Sequence, residues 1–195
     1  RDLAVDAGLR AGAGSHHGEA RLEIRGLRTI RHPQHAVDLT IRSGEIVALG
    51  GLVGAGRTEL LRAIFGIDRR VAGEILVDGE SRRIRGPADA ADAGIALVPE
   101  DRKSDGLLLD ESISENLVLP GLARTAAGGV IRRPRAERGL AESLVTRMGV
   151  RPAIHDLLAG GLSGGNQQKV AVGRWVGCDP IVFLLHQHNV AQSFL

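Results

Sequence analysis

The chain has 195 residues and a formal net charge of +2, long enough for one domain with a substantial core and short for two. Charged residues make up 25% with the signs nearly balanced, so no strongly charged partner is implied, and 2% aromatics with no tyrosine argue against a stacking surface for nucleic acid. No stretch reaches the roughly 18 consecutive apolar residues of a membrane span, and no signal peptide opens the chain, so a cytosolic protein, or one held on a membrane only through a partner, is expected.

The first residues carry Gly8, Gly12, Gly14, Ser15 and Gly18 with little apolar periodicity and read as a linker. His16 and His17 lie within it and are assigned no role. From Ala20 the pattern changes: Leu22, Ile24 and Leu27 alternate with charges, as do Val37, Leu39 and Ile41, which predicts two half-buried strands. Ser43-Gly44 marks a turn. The continuous apolar run Ile46-Val47-Ala48-Leu49 predicts a strand covered on both faces.

Gly51 to Thr58 follow at once, reading Gly-Leu-Val-Gly-Ala-Gly-Arg-Thr. This is the spacing of a phosphate-cradling loop, with Arg57 where the general motif has lysine. Glycines let successive backbone N–H groups converge on phosphate oxygens, and a helix starting near Gly56 adds its positive end. Arg57 would supply charge and the Thr58 hydroxyl would ligate Mg²⁺. Guanidinium is bulkier than ammonium, so the exchange is not conservative. Leu60, Leu61, Ile64 and Phe65 then fall at helical spacing, with Gly66 as the stop.

Gly73 to Val77 read as a strand entering a turn at Asp78-Gly79, Ala88 to Ala93 as a short helix, and Ile95 to Val98 as another buried strand. Charged loops follow from Pro99, then helical patterns at Ser112 to Leu117 and Arg135 to Met148. Leu140, Leu144, Val145 and Met148 form an apolar stripe suited to core packing. Gly164 to Val176 predict a further helix and Ile181 to Leu185 a last buried strand. The single cysteine, Cys178, permits no intrachain disulfide; it is either a small half-buried residue at a helix end or a reactive thiol.

Leu162-Ser163-Gly164-Gly165-Asn166-Gln167-Gln168 places a serine and two glycines at a helix start, offering a hydroxyl and bare N–H groups to an anion. Alone, Ser-Gly-Gly would be no more than a good N-terminal cap. Together with the glycine loop, the segment resembles the signature of ABC-transporter ATPases. From about Arg21 to Leu185 the chain looks like the second ATP-binding cassette of bacterial monosaccharide importer ATPases, whose phosphate loop typically reads as Gly54 to Glu59 do here. By that resemblance Arg57 is the family's own choice, and Glu100, within Pro99-Glu100-Asp101-Arg102-Lys103, stands near Mg²⁺ and the γ-phosphate.

The resemblance implies a P-loop α/β fold with a mainly parallel core sheet, a small antiparallel β part, and a helical subdomain at about 105–165. It implies a linker or the end of an upstream cassette over 1–19, an ATP-binding domain over 20–185, and an aberrant tail over 186–195. ATP and Mg²⁺ are the implied cofactors. Gly51, Gly54, Ala55, Gly56, Arg57, Thr58, Glu100, Ser163, Gly164, Gly165 and Gln167 are the implied nucleotide residues, with Thr58 also on the metal. Two such cassettes pack head to tail, so Ser163, Gly164 and Gly165 would meet nucleotide held by a partner cassette. Membrane permease subunits are the other partners, on the cytoplasmic face of the membrane, and no nucleic acid is expected.

One segment departs from the pattern. Where the family has Asp-Glu-Pro-Thr, this chain has His186-Gln187-His188-Asn189. Imidazole is a poor partner for Mg²⁺, which prefers hard oxygen ligands, and Gln187 at the glutamate position cannot accept a proton. A fragment or frameshifted product, a nucleotide-binding module without hydrolysis, and a metal site from His186 and His188 are the three readings this leaves. With the sheet's later neighbours lacking, an exposed sheet edge and poor solubility are expected.

Overall fold

The computed structural model describes residues 18–50, 54–126, 128 and 131–186, without the side chains of residues 123 and 124. Residues 1–17 of the predicted linker and the tail beyond His186 lie outside these residues. The chain divides into two compact units, Arg1–Ala96 and Leu97–Leu195.

In the first unit, β1 (Ala20–Thr29) is the centre of a four-stranded antiparallel sheet in the order β2-β1-β3-β4. Its neighbours are β2 (Val37–Arg42) and β3 (Arg70–Val77), and β4 (Glu80–Ser81) closes a hairpin on β3. The predicted alternation sets the register: Ile24 faces Leu39 on one side and Ile75 on the other, and Leu22 faces Ile41 and Val77. Leu22, Ile24, Leu27, Ile75 and Val77 are buried as one face of the pleat. Asp78 and Gly79 both have positive φ, as a tight two-residue hairpin demands, and β3 starts at Arg70, three residues before the sequence reading placed it. Helix α1 (Arg57–Ile64) follows the glycine loop and packs Leu60 and Ile64 into this core, and α2 (Pro87–Asp92) starts with proline in its first turn.

One expectation fails here. Residues 45–50 form no strand, and Ile46 is 68% exposed. Among the described residues no strand offers this run a ladder, and an apolar sequence cannot be a strand without a neighbour to take its backbone groups.

In the second unit the core is helical. Helices α3 (Ile113–Val118), α5 (Pro134–Met148) and α6 (Gly164–Val176) surround Ile113, Leu117, Leu144, Val145 and Val170, and the short α4 (Leu122–Thr125) lies between α3 and α5 in the chain. The predicted stripe on α5 is core packing: Leu144 and Val145 are buried, and Leu140 and Met148 pack against the same cluster. Cys178 is a buried free thiol just past the end of α6. Strand β5 (Ile95–Val98), fully buried, pairs with β6 (Val182–Leu185) in a two-stranded sheet, the part of the core sheet that the described residues hold. β6, expected as a buried strand, is buried on one face only: Val182 and Leu184 are buried while Phe183 and Leu185 are exposed, because only one face has core against it. Among the described residues no helix is long and apolar enough to cross a membrane.

Candidate nucleotide site

Gly54, Ala55, Gly56, Arg57 and Thr58 form the turn into α1, and Gly51 lies outside the described residues. Gly54 has φ +83° and Gly56, the N-cap of α1, has φ +86°, a left-handed region that side chains strain to enter. A Cβ on Gly56 would also fall 2.9 Å from His32 Cδ2. Backbone, with no side-chain cap on the helix, therefore shapes this end of α1. Its first N–H groups have no partner inside the helix and its dipole end is positive, which is what an anion needs. Thr58, Glu59 and Arg62 line one side of a cleft of about 500 Å³ whose other walls include Thr29, Ile30 and Arg31. Arg31 and Arg62 are committed to carboxylates there, to Glu59 at 3.0 Å and to Asp68 at 2.9 Å.

The second set lies on α6 in the other unit. Ser163 is the N-cap in an ordinary extended conformation, φ −60° and ψ 154°. Its side chain does not cap the helix. Instead Ser163 Oγ accepts from Asn166 Nδ2 at 3.0 Å, which leaves its O–H to donate outward. Ser163 and Gly165 are exposed, so the uncapped end of α6 is open to a ligand. Gln167 departs from the expectation of a nucleotide contact. It is 3% exposed, and its Nε2 donates to the Ala159 carbonyl at 3.2 Å, bracing the approach to α6 from inside.

Glu100 and His186 are brought together, with His186 Nε2 3.2 Å from Glu100 Oε2. The His186 N–H donates to the Val98 carbonyl at 3.0 Å, so the imidazole is delivered by the β5–β6 pairing. Gln187 and His188 lie outside the described residues. Among the described residues no group of three or more His, Cys, Asp or Glu side chains could hold a metal ion.

The roles of four residues here were missed in the sequence. The charged run after Glu100 is a π-helical turn, Arg102–Gly106, capped by Asp101, whose carboxylate accepts from the N–H groups of Lys103 and Ser104. These bonds, led by that from the Ser104 hydroxyl, hold the Asp101 carboxyl below its ordinary range. The Arg174 guanidinium donates to the Gly106 carbonyl, tying this turn to α6. Burial pushes the Arg174 pKa down. Arg102 lies over Gly164, and no sequence signal links positions so far apart. Asn116 could have been found, since it shares the apolar face of α3 with Ile113 and Leu117. It is fully buried, and its amide bonds both the N–H and the carbonyl of Leu108, each at 2.8 Å.

A family model described as ABC transporter matches residues 34–186. The chain belongs to the ABC transporter family. It is 42% identical over 151 residues to the ribose import ATP-binding protein RbsA of Bacillus licheniformis, covering 77% of this chain and 30% of that protein. It is 46% identical over 154 residues to the ribose import ATP-binding protein RbsA 1 of Mesorhizobium japonicum, covering 78% and 30%. The chain thus spans under a third of the length of these curated relatives. Among solved structures it is similar to cbiO1 from Clostridium perfringens, part of the ABC transporter complex cbiONQ, with TM-score 0.66 at 20% identity over 86% of this chain and 65% of that one. It is also similar to a dimeric post-hydrolysis ATP-binding cassette bound to ADP and Pi, with TM-score 0.63 at 20% identity over 84% and 72%. These likenesses establish the ABC-cassette fold, a P-loop NTPase architecture of sheets and helices.

Proposed function

We propose that this chain is the second ATP-binding cassette of a monosaccharide importer, ribose import being the nearest reading from its relatives. The observation that carries the reading is a pair of helix N-termini without side-chain caps, α1 behind the glycine loop and α6 behind Ser163. Each leaves N–H groups and a positive dipole end for phosphate. Gly54 to Thr58 hold this chain's own nucleotide, Arg57 supplying charge to the terminal phosphates. Ser163, Gly164 and Gly165 meet the nucleotide of a second cassette packed head to tail.

Thr58 offers a hard oxygen in the first turn of α1 and fits Mg²⁺ as one ligand. Mg²⁺ bound with the nucleotide would neutralise charge on the β- and γ-phosphates. The intact protein would hydrolyse ATP on the cytoplasmic face of the membrane, bound to permease subunits.

For this chain by itself the His186–Glu100 contact favours binding without turnover. An imidazole stands at the family's aspartate position and occupies the carboxylate that would face the γ-phosphate. Calorimetric titration with Mg-ATP, followed by phosphate release with and without a partner cassette, tests both readings. Saturable binding with no release is expected. Absence of binding overturns the assignment, and turnover with the partner present overturns the non-hydrolytic reading.

A further inference from the structure

The signature end of α6 has a neighbour that its sequence does not announce. A Cβ built on Gly164 would fall 2.7 Å from the Arg102 guanidinium nitrogen Nη2, so that group occupies the space a side chain would need. Cα–Cβ bonds on a helix tilt toward its N-terminus, so the guanidinium lies at the uncapped end of α6. This accounts for glycine at 164: any larger residue would evict Arg102.

The placement is electrostatically wrong for an arginine that has only a structural task. Cations are favoured at helix C-termini and opposed at N-termini, where the dipole is already positive. A carboxylate beside the guanidinium would offset this, yet among the described residues Arg102 makes no hydrogen bond or ion pair, and its buried Nε has no acceptor. The Ser163 O–H, released from capping by the Asn166 amide, points the same requirement outward. Guanidinium, hydroxyl and helix N–H groups are all donors gathered at the start of α6, and among the described residues none has an acceptor there. The common partner they lack is an anion with several oxygens.

We infer that Arg102 is a phosphate ligand of the signature site, its guanidinium joining the Ser163 hydroxyl and the Gly164 and Gly165 N–H groups around the terminal phosphates of a nucleotide. The inference rests on the reading that this end of α6 faces phosphate, and it adds a side chain carried by another element. The π-helical turn is the device that brings it there. Asp101 holds the start of the turn, Arg174 holds its end to α6, and Arg102 extends from it across to Gly164. The segment that begins at Glu100, the position near this chain's own nucleotide by resemblance, therefore ends on the contact to the partner's.

All of these groups belong to one unit of the chain, so the single chain should bind a polyphosphate there. The test uses the full 195-residue chain and inorganic tripolyphosphate, followed through the backbone amide resonances of Gly164 and Gly165. In the wild type these resonances should move and saturate. In Arg102→Ala the dissociation constant read at them should rise at least about tenfold, the loss expected for a charge-assisted bond. Arg102→Lys, which keeps the charge and loses the planar fork, should fall between. Equal constants for wild type and Arg102→Ala, with otherwise native spectra, overturn the role of Arg102 and leave the signature reading standing. Unmoved Gly164 and Gly165 resonances in the wild type overturn both.

Discussion

Helices α1 and α6, the two phosphate sites we propose, begin by opposite means. α1 starts from Gly56 in a left-handed conformation, so its N–H groups are aimed by a backbone that glycine enters without strain. α6 starts from Ser163 in an extended conformation open to any residue, and its donors are a hydroxyl and a borrowed guanidinium. One site is made by dihedral angles and the other by side chains and the space left for them. Substitutions should therefore damage them differently, even where the residue exchanged is the same.

The largest effect should come from the supports of α6. Asn116→Ala strips the partners from both polar groups of Leu108 in the core that carries α6, and should cost about 2–4 kcal/mol of unfolding free energy. Denaturant unfolding measures it. A loss under about 1 kcal/mol would mean that water replaces the amide and that this core is looser than its burial implies. Next comes Gly56→Ala, which forces a left-handed φ on a residue with a Cβ and drives that atom against His32. Strain of roughly 1–3 kcal/mol should weaken Mg-ATP binding about ten- to hundredfold by calorimetry. Unchanged affinity would show that α1 can aim its N–H groups without the left-handed turn, and the contrast between the helices would collapse.

Ser163→Ala probes the other side of the comparison. It leaves the backbone of α6 unaltered and removes one donor, so tripolyphosphate binding read at the Gly165 amide should weaken about fivefold. An unaltered constant would make Ser163 a turn residue only.

The smallest effect is the acid limb of stability. The Arg132 guanidinium holds the Glu137 carboxyl below its ordinary range, helped by the Arg133 N–H, while Glu137 in turn raises the Arg132 pKa. A depressed folded pKa means stabilisation that is complete above the unfolded carboxylate value of about 4.3 and is lost as pH falls through the lower folded value. Thermal melts of the wild type should drop across that window, and those of Glu137→Gln should drop less. Parallel curves would show that the pair contributes nothing to the second unit's pH response.

Much of this was legible in the chain itself. β1 and β2 follow from apolar alternation at Leu22, Ile24, Val37 and Leu39, because a one-residue slip would turn every apolar side chain to solvent. α6 was readable to the residue, from Gly164 to Val176. The glycine turn before α1 and the serine that opens α6 could be placed because a helix start is a local feature, held within a few consecutive residues. The Glu100–His186 and Arg102–Gly164 contacts could not, since each joins residues that only folding brings together. Gln167 was misjudged for a related reason: which face of α6 is buried depends on what packs beneath it.

The two apolar runs mark the boundary between sequence and tertiary structure. Ile46–Leu49 and Ile95–Val98 are alike in length and hydrophobicity, yet the second is a buried strand and the first is no strand at all. The sequence alone determined that both segments are apolar, because that property resides in the side chains themselves. Strand formation was decided by tertiary structure, since a strand's N–H and C=O groups must be met by another strand. β6 meets those of Ile95–Val98, and no described strand meets those of Ile46–Leu49.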